Sequence, residues 1–135
     1  MTKRVQVLLG VLLALSGCHV TRGYSGPARS SAETALLYPQ GVILRQVNTH
    51  EVGGLSRAVE VLPGETDILL SIDPSNYNDL TRPGQVYRLK MRAEAGASYI
   101  ISSNKYDGQP CAWEMVRDSG QPDYSKPLGC AVREK

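Results

Sequence analysis

The chain has 135 residues, with 15 Lys and Arg against 13 Asp and Glu, a formal net charge of +2. Lys3 and Arg4 fall in its first 17 residues, so the remaining 118 carry 13 charges of each sign. That length suits one domain with a real core, and that balance excludes a global field able to attract nucleic acid.

Met1 to Gly17 opens with Lys3 and Arg4 and continues as the apolar run Val5–Leu15. The run is too short to cross a bilayer, which takes ~20 residues, and its layout is that of a secretory signal. It ends in Leu15-Ser16-Gly17-Cys18. This tetrapeptide resembles the lipobox of bacterial lipoproteins. The resemblance implies cleavage before Cys18, a diacylglyceryl group on its thiol and acylation of the new amine. The domain organisation expected is signal peptide 1–17, lipidated N-terminus and flexible tether 18–31, and folded domain 32–135. His19, rather than Asp, follows the cysteine, and resemblance to the enteric sorting rule points to the outer membrane, facing the periplasm.

Residues 19–31 are small, polar or structure-breaking, with Gly23, Gly26 and Pro27, and read as linker. Residues 32–38 fit either a helical turn or a strand. Residues 42–47 are β-rich. Residues 57–62 place Val59 and Val61 on one face, and Pro63-Gly64 then turns the chain. Residues 66–72 alternate with Ile68, Leu70 and Ile72 inward. Residues 85–93 show the clearest period of two, with Tyr87, Leu89, Met91 and Ala93 opposite Arg88, Lys90 and Arg92. Residues 97–103 align Tyr99 with Ile101, and residues 111–117 align Cys111, Trp113 and Met115. A short last strand is expected within 128–132. About seven short strands separated by turn signals predict an all-β fold, a single antiparallel β-sandwich. Tyr87, Tyr99 and Trp113 are expected in its core.

Cys18, Cys111 and Cys130 are the three cysteines. With Cys18 acylated, an even pair remains in a compartment that permits disulfides, so Cys111 and Cys130 are expected to be joined.

Gly26-Pro27, Glu33-Thr34-Ala35-Leu36, Leu62-Pro63-Gly64, Gly96-Ala97-Ser98-Tyr99, Trp113 and Asp118-Ser119-Gly120 occur in that order. This pattern is similar to a group of small, uncharacterised proteobacterial lipoproteins, and implies a β-sandwich without implying an activity. Gly96 and Tyr99 also match the Ser-Gly-x-x-Tyr strand of bacterial lipoprotein inhibitors of C-type lysozyme. The Ser before Gly and the Lys-Gly turn of that family are missing here. A hydrolase inhibitor is therefore the alternative to a general envelope module.

Catalytic and metal-binding patterns are weak. His50 and Glu51 lie near Ser56, but no Gly-x-Ser-x-Gly elbow is present. Asp73, Asn76, Asn78 and Asp79 form an oxygen-rich stretch without EF-hand spacing, and turn chemistry explains them better. No metal, cofactor, small-molecule substrate or nucleic acid is indicated, and the expected role is not enzymatic. Recognition of an envelope protein or polysaccharide is expected from Tyr77 and Asn78 in the loop 73–84 and from Tyr106 and Asp107 in the loop 104–110. Arg88, Lys90 and Arg92 form a candidate basic stripe, read either as an anion contact or as a solvated outer face.

Overall fold

The computed structural model describes residues 20–53, 56–73, 85–103 and 108–134. It is all-β, and two sheets pack face to face as a sandwich. The strands are β1 (Val20–Arg22), β2 (Ala35–Gln40), β3 (Val42–Val47), β4 (His50–Glu51), β5 (Ala58–Val61) and β6 (Gly64–Ile72). They continue as β7 (Val86–Ala93), β8 (Ser98–Ser103), β9 (Pro110–Glu114), β10 (Gly129–Cys130) and β11 (Val132–Arg133). A six-stranded sheet runs β1-β5-β2-β8-β9-β10, and a five-stranded sheet runs β11-β7-β6-β3-β4.

The inward registers read from the sequence for residues 57–62, 66–72, 85–93 and 97–103 hold. Ile68, Leu70, Leu89, Val59, Val61 and Ile101 are each fully buried, and Tyr87, Met91 and Tyr99 join them in one cluster between the sheets. The chain passes between sheets five times, one of them between β4 and β5. After β2 it turns at Gly41, whose φ of +73° suits glycine. After β5 it turns through Leu62 and Pro63, after β7 through residues 94–97, and after β10 at Ala131. Along β3, the register with β6 shifts between Leu44 and Gln46. Arg45 is the extra residue of this bulge, and its Nε donates to Ser71 Oγ across the pair.

Four features depart from the sequence reading or settle an alternative it left open. Each of the seven expected strands is present, but there are eleven among the described residues, because β1, β2 and β4 add to the list and Ala131 splits the last strand. The sandwich is not wholly antiparallel: β1 runs parallel to β5, and β2 parallel to β8. Residues 35–40 are a strand, Pro39 included. Its missing N–H is tolerated because β2 pairs with β5 only from Ala35 to Leu37, so the ladder on that side ends before Pro39.

The fourth concerns the expected tether. Val20–Arg22 is already sheet, aligned with Ala58–Glu60. The Gly23 N–H donates to the Glu60 carbonyl, and a Cβ on Gly23 would stand 2.9 Å from Val59 Cγ1. Tyr24 is buried, its hydroxyl donating to Glu60 Oε1 at 2.7 Å and accepting from the Arg29 N–H at 3.0 Å. Small and polar residues were compatible with a linker. They were equally compatible with close backbone packing, and the second is what they do.

Candidate functional site

The two outer faces of the sandwich differ in chemistry. On the five-stranded sheet, β7 turns Arg88, Lys90 and Arg92 outward, as its alternation requires. Opposite Lys90 and Arg92 on β6 stand Asp67 and Glu65. Arg88 Nη1 lies 2.8 Å from Asp67 Oδ1, and its Nε pairs with Glu134. Arg92 Nη1 lies 3.3 Å from Glu65 Oε1. Hydrogen bonds to Glu134 and then to Asp67 push the Arg88 guanidinium above its ordinary value. The basic stripe is thus one half of a cross-strand charge ladder, in which Arg88 and Arg92 are ion-paired and Lys90 stands opposite Asp67. An anion would have to displace Asp67 and Glu134 to reach Arg88. This favours the solvated-face reading over the anion contact.

The outer face of the six-stranded sheet is built from the opposite register. Tyr99 and Ile101 point into the core, so Ile100 points out. Ile100 is aligned with Tyr38 on one side and with Trp113 on the other. Carrying the β2–β5 register one residue past the last pair, Leu37 with Val59, brings Ala58 to the level of Tyr38, and Val20 on β1 is aligned with Ala58. One row perpendicular to the strands is therefore Val20, Ala58, Tyr38, Ile100 and Trp113. Val20 is 48% exposed and Tyr38 36%.

Trp113 departs from expectation. It is buried, but on this outer face and not in the inter-sheet cluster, to which its neighbour Ala112 belongs. Cys111 shares the outward register. What covers Trp113 is the segment after β9. Met115 pairs with Pro122, the Asp123 N–H donates to the Glu114 carbonyl, and the Leu128 N–H donates to the Ala112 carbonyl. The Asp123 carboxylate accepts from the Ser125 hydroxyl and N–H, which hold it below the usual carboxylate range. This turn sets the Tyr124 ring against the indole edge-on, with centroids 5.4 Å apart at 70°. Trp113 Nε1 is buried with no hydrogen-bond partner among the described residues. Tyr124 is 57% exposed and Leu128 41%, so they extend the apolar surface beyond the row.

Cys111 and Cys130 face each other in the β9–β10 pair, with sulfurs at bonding distance and Cα atoms 4.0 Å apart. Gly108, Gln109, Tyr87 and residues 131–133 line a shallow open depression of about 320 Å³. The Gln109 side chain is already turned to the Ala131 carbonyl there. His50 sits on β4, while Ser56 Oγ donates to the Val52 carbonyl and bonds Thr21 Oγ1, so the two are not assembled for catalysis. Among the described residues no group of three or more His, Cys, Asp or Glu is placed to hold a metal ion. Cys18, Tyr77, Asn78, Tyr106 and Asp107 lie outside the described residues, as do Asn76 and Asp79.

Sequence reasoning missed the Val20-to-Trp113 row because it crosses strands whose pairing order is not written in any local pattern. The outward apolar residues Tyr38 and Ile100 were the available signal. No family model, curated protein or solved structure matches the chain.

Proposed function

We propose that the protein is a lipid-anchored module of the bacterial cell envelope, attached through Cys18, which holds a rigid β-sandwich at a membrane surface. Its role is structural or binding, not catalytic. The joined Cys111 and Cys130 carry this reading. A disulfide persists in an oxidising compartment outside the cytoplasm, and Leu15-Ser16-Gly17-Cys18 supplies both the export route and the anchor. With two or more acyl chains, each buried methylene contributing roughly 0.8 kcal/mol, attachment is stable.

Intact mass and membrane fractionation of the expressed full chain test the proposal. The expected species has lost residues 1–17, carries acyl chains on Cys18 and sediments with membranes. A Cys18→Ser variant keeps its leader and gains no lipid. Recovery of the wild-type chain as an unprocessed, soluble species would remove the anchor reading.

A further inference from the structure

We propose that the outer face of the six-stranded sheet lies against the lipid bilayer, so that the sandwich is held side-on and not extended on a stalk. This rests on lipid anchoring at Cys18 and goes further, by naming which surface the membrane covers. The first observation is where the chain before the described residues enters the fold. It enters at Val20, the first member of the apolar row on this face. Two residue steps separate Cys18 from Val20, at most about 7 Å of extended chain. Because β1 is bonded to β5 and Gly23 and Tyr24 are packed behind it, no slack follows. An anchor in the membrane therefore draws the β1 edge to the headgroup region.

The second observation is the contrast between the two outer faces. Along β6 and β7 the five-stranded sheet shows ion pairs to the outside, and the large apolar side chain it exposes is Val132 on its β11 edge. The six-stranded sheet shows Val20, Tyr38, Ile100, Tyr124 and Leu128, of which four are more than a third exposed and Ile100 is half-buried. Apolar side chains grouped on one face in this way mark a surface that meets a membrane or a partner. Tyr38 and Tyr124 join an apolar ring to a polar hydroxyl, the combination enriched at membrane–water interfaces. Entry point and apolar row coincide, so the bilayer is the cover already within reach. The charged sheet is then the side turned to the periplasm and to any partner.

Trp113 is the only tryptophan in the chain and lies in the row. Its emission reports the contact directly. The processed, acylated protein is reconstituted into phosphatidylethanolamine–phosphatidylglycerol vesicles, with or without bromine on the acyl chains. Apolar faces at this boundary sit ~5–10 Å deep, which brings Trp113 within quenching range, and brominated vesicles should lower its emission about twofold. A Tyr38→Glu, Leu128→Glu variant, with its fold checked by circular dichroism, should remain acylated and lose most of that quenching. Acylated, vesicle-bound wild-type protein with unquenched emission would overturn the side-on geometry while leaving the anchor intact. Unquenched emission together with a cross-linked dimer would overturn it in favour of a second copy as the cover. A wild-type mass without acyl chains would instead overturn the anchor, and this proposal with it.

Discussion

Gly129 approaches β7 so closely that a Cβ on it would lie 2.3 Å from the Lys90 carbonyl oxygen. It marks where the last strands wrap the open side of the sandwich: β10 ends the six-stranded sheet at Cys130, and two residues later β11 begins and pairs with β7 in the other. The obstacle is backbone, which cannot rotate away as a side chain would. Gly129→Ala should therefore destabilise the domain by about 1–3 kcal/mol through overpacking. Urea midpoints of the two proteins check this. An unchanged midpoint would mean that β10 does not close on β7.

The positions that could be read in advance and those that could not divide along physical lines. Period-two alternation in 66–72 and 85–93 reports burial on one face, so the inward sets of β6 and β7 were legible from residue types alone. Alternation does not say what lies over the other face. Cys111 and Trp113 alternate as regularly as any core pair, yet Trp113 is covered by Tyr124 from a later turn and Cys111 is joined to Cys130, so neither meets the opposing sheet's core cluster. Strand direction was likewise hidden, because the parallel β1–β5 and β2–β8 pairs join segments distant in sequence. The charge ladder was half visible: Arg88, Lys90 and Arg92 share a face by spacing, but Glu65 and Asp67 become their partners only through the β6–β7 register.

The Cys111–Cys130 link closes a loop with a sequence separation of 19. Closure of this size stabilises by roughly 3 kcal/mol in the chain-entropy model. Cys111→Ala and Cys130→Ala should each lose about that amount, and the double variant should lose little more, since one bond is removed in all three. Denaturant titrations compare the three with wild type. Additive losses in the double variant would show that the two thiols contribute separately.

Tyr24 ties the first strand and the turn after it to β5 through Glu60 and the Arg29 N–H. Tyr24→Phe keeps the ring and removes both hydrogen bonds, and should cost about 1 kcal/mol. The loss should be local, in residues 20–31, because these residues form the edge of the sheet. Limited trypsin digestion followed by mass spectrometry resolves it: cleavage after Arg22 and Arg29 should speed up in the variant, while cleavage after Arg88 or Arg92 should not. Equal rates after Arg22 in both proteins would mean that the segment is held by something other than the Tyr24 hydroxyl.

Tyr99 gives the fold a dependence on alkaline pH. Its side chain lies in the inter-sheet core, and burial raises the phenol above its ordinary value of about 10; the nearby Glu114 and Glu94 carboxylates act in the same direction, against the hydrogen bond that the Glu94 N–H donates to its oxygen. The folded state thus binds this proton more tightly than the unfolded chain does. The resulting stabilisation is fully present below the unfolded phenol's pKa and is lost as pH rises through the folded value. Tyr99→Phe cannot ionise. It should lose about 1 kcal/mol at neutral pH, for the hydrogen bond to Glu94, and then show a shallower decline in urea midpoint between pH 9 and 11 than wild type. Parallel declines over that range would place the Tyr99 hydroxyl in contact with water, with another group responsible for the alkaline limb.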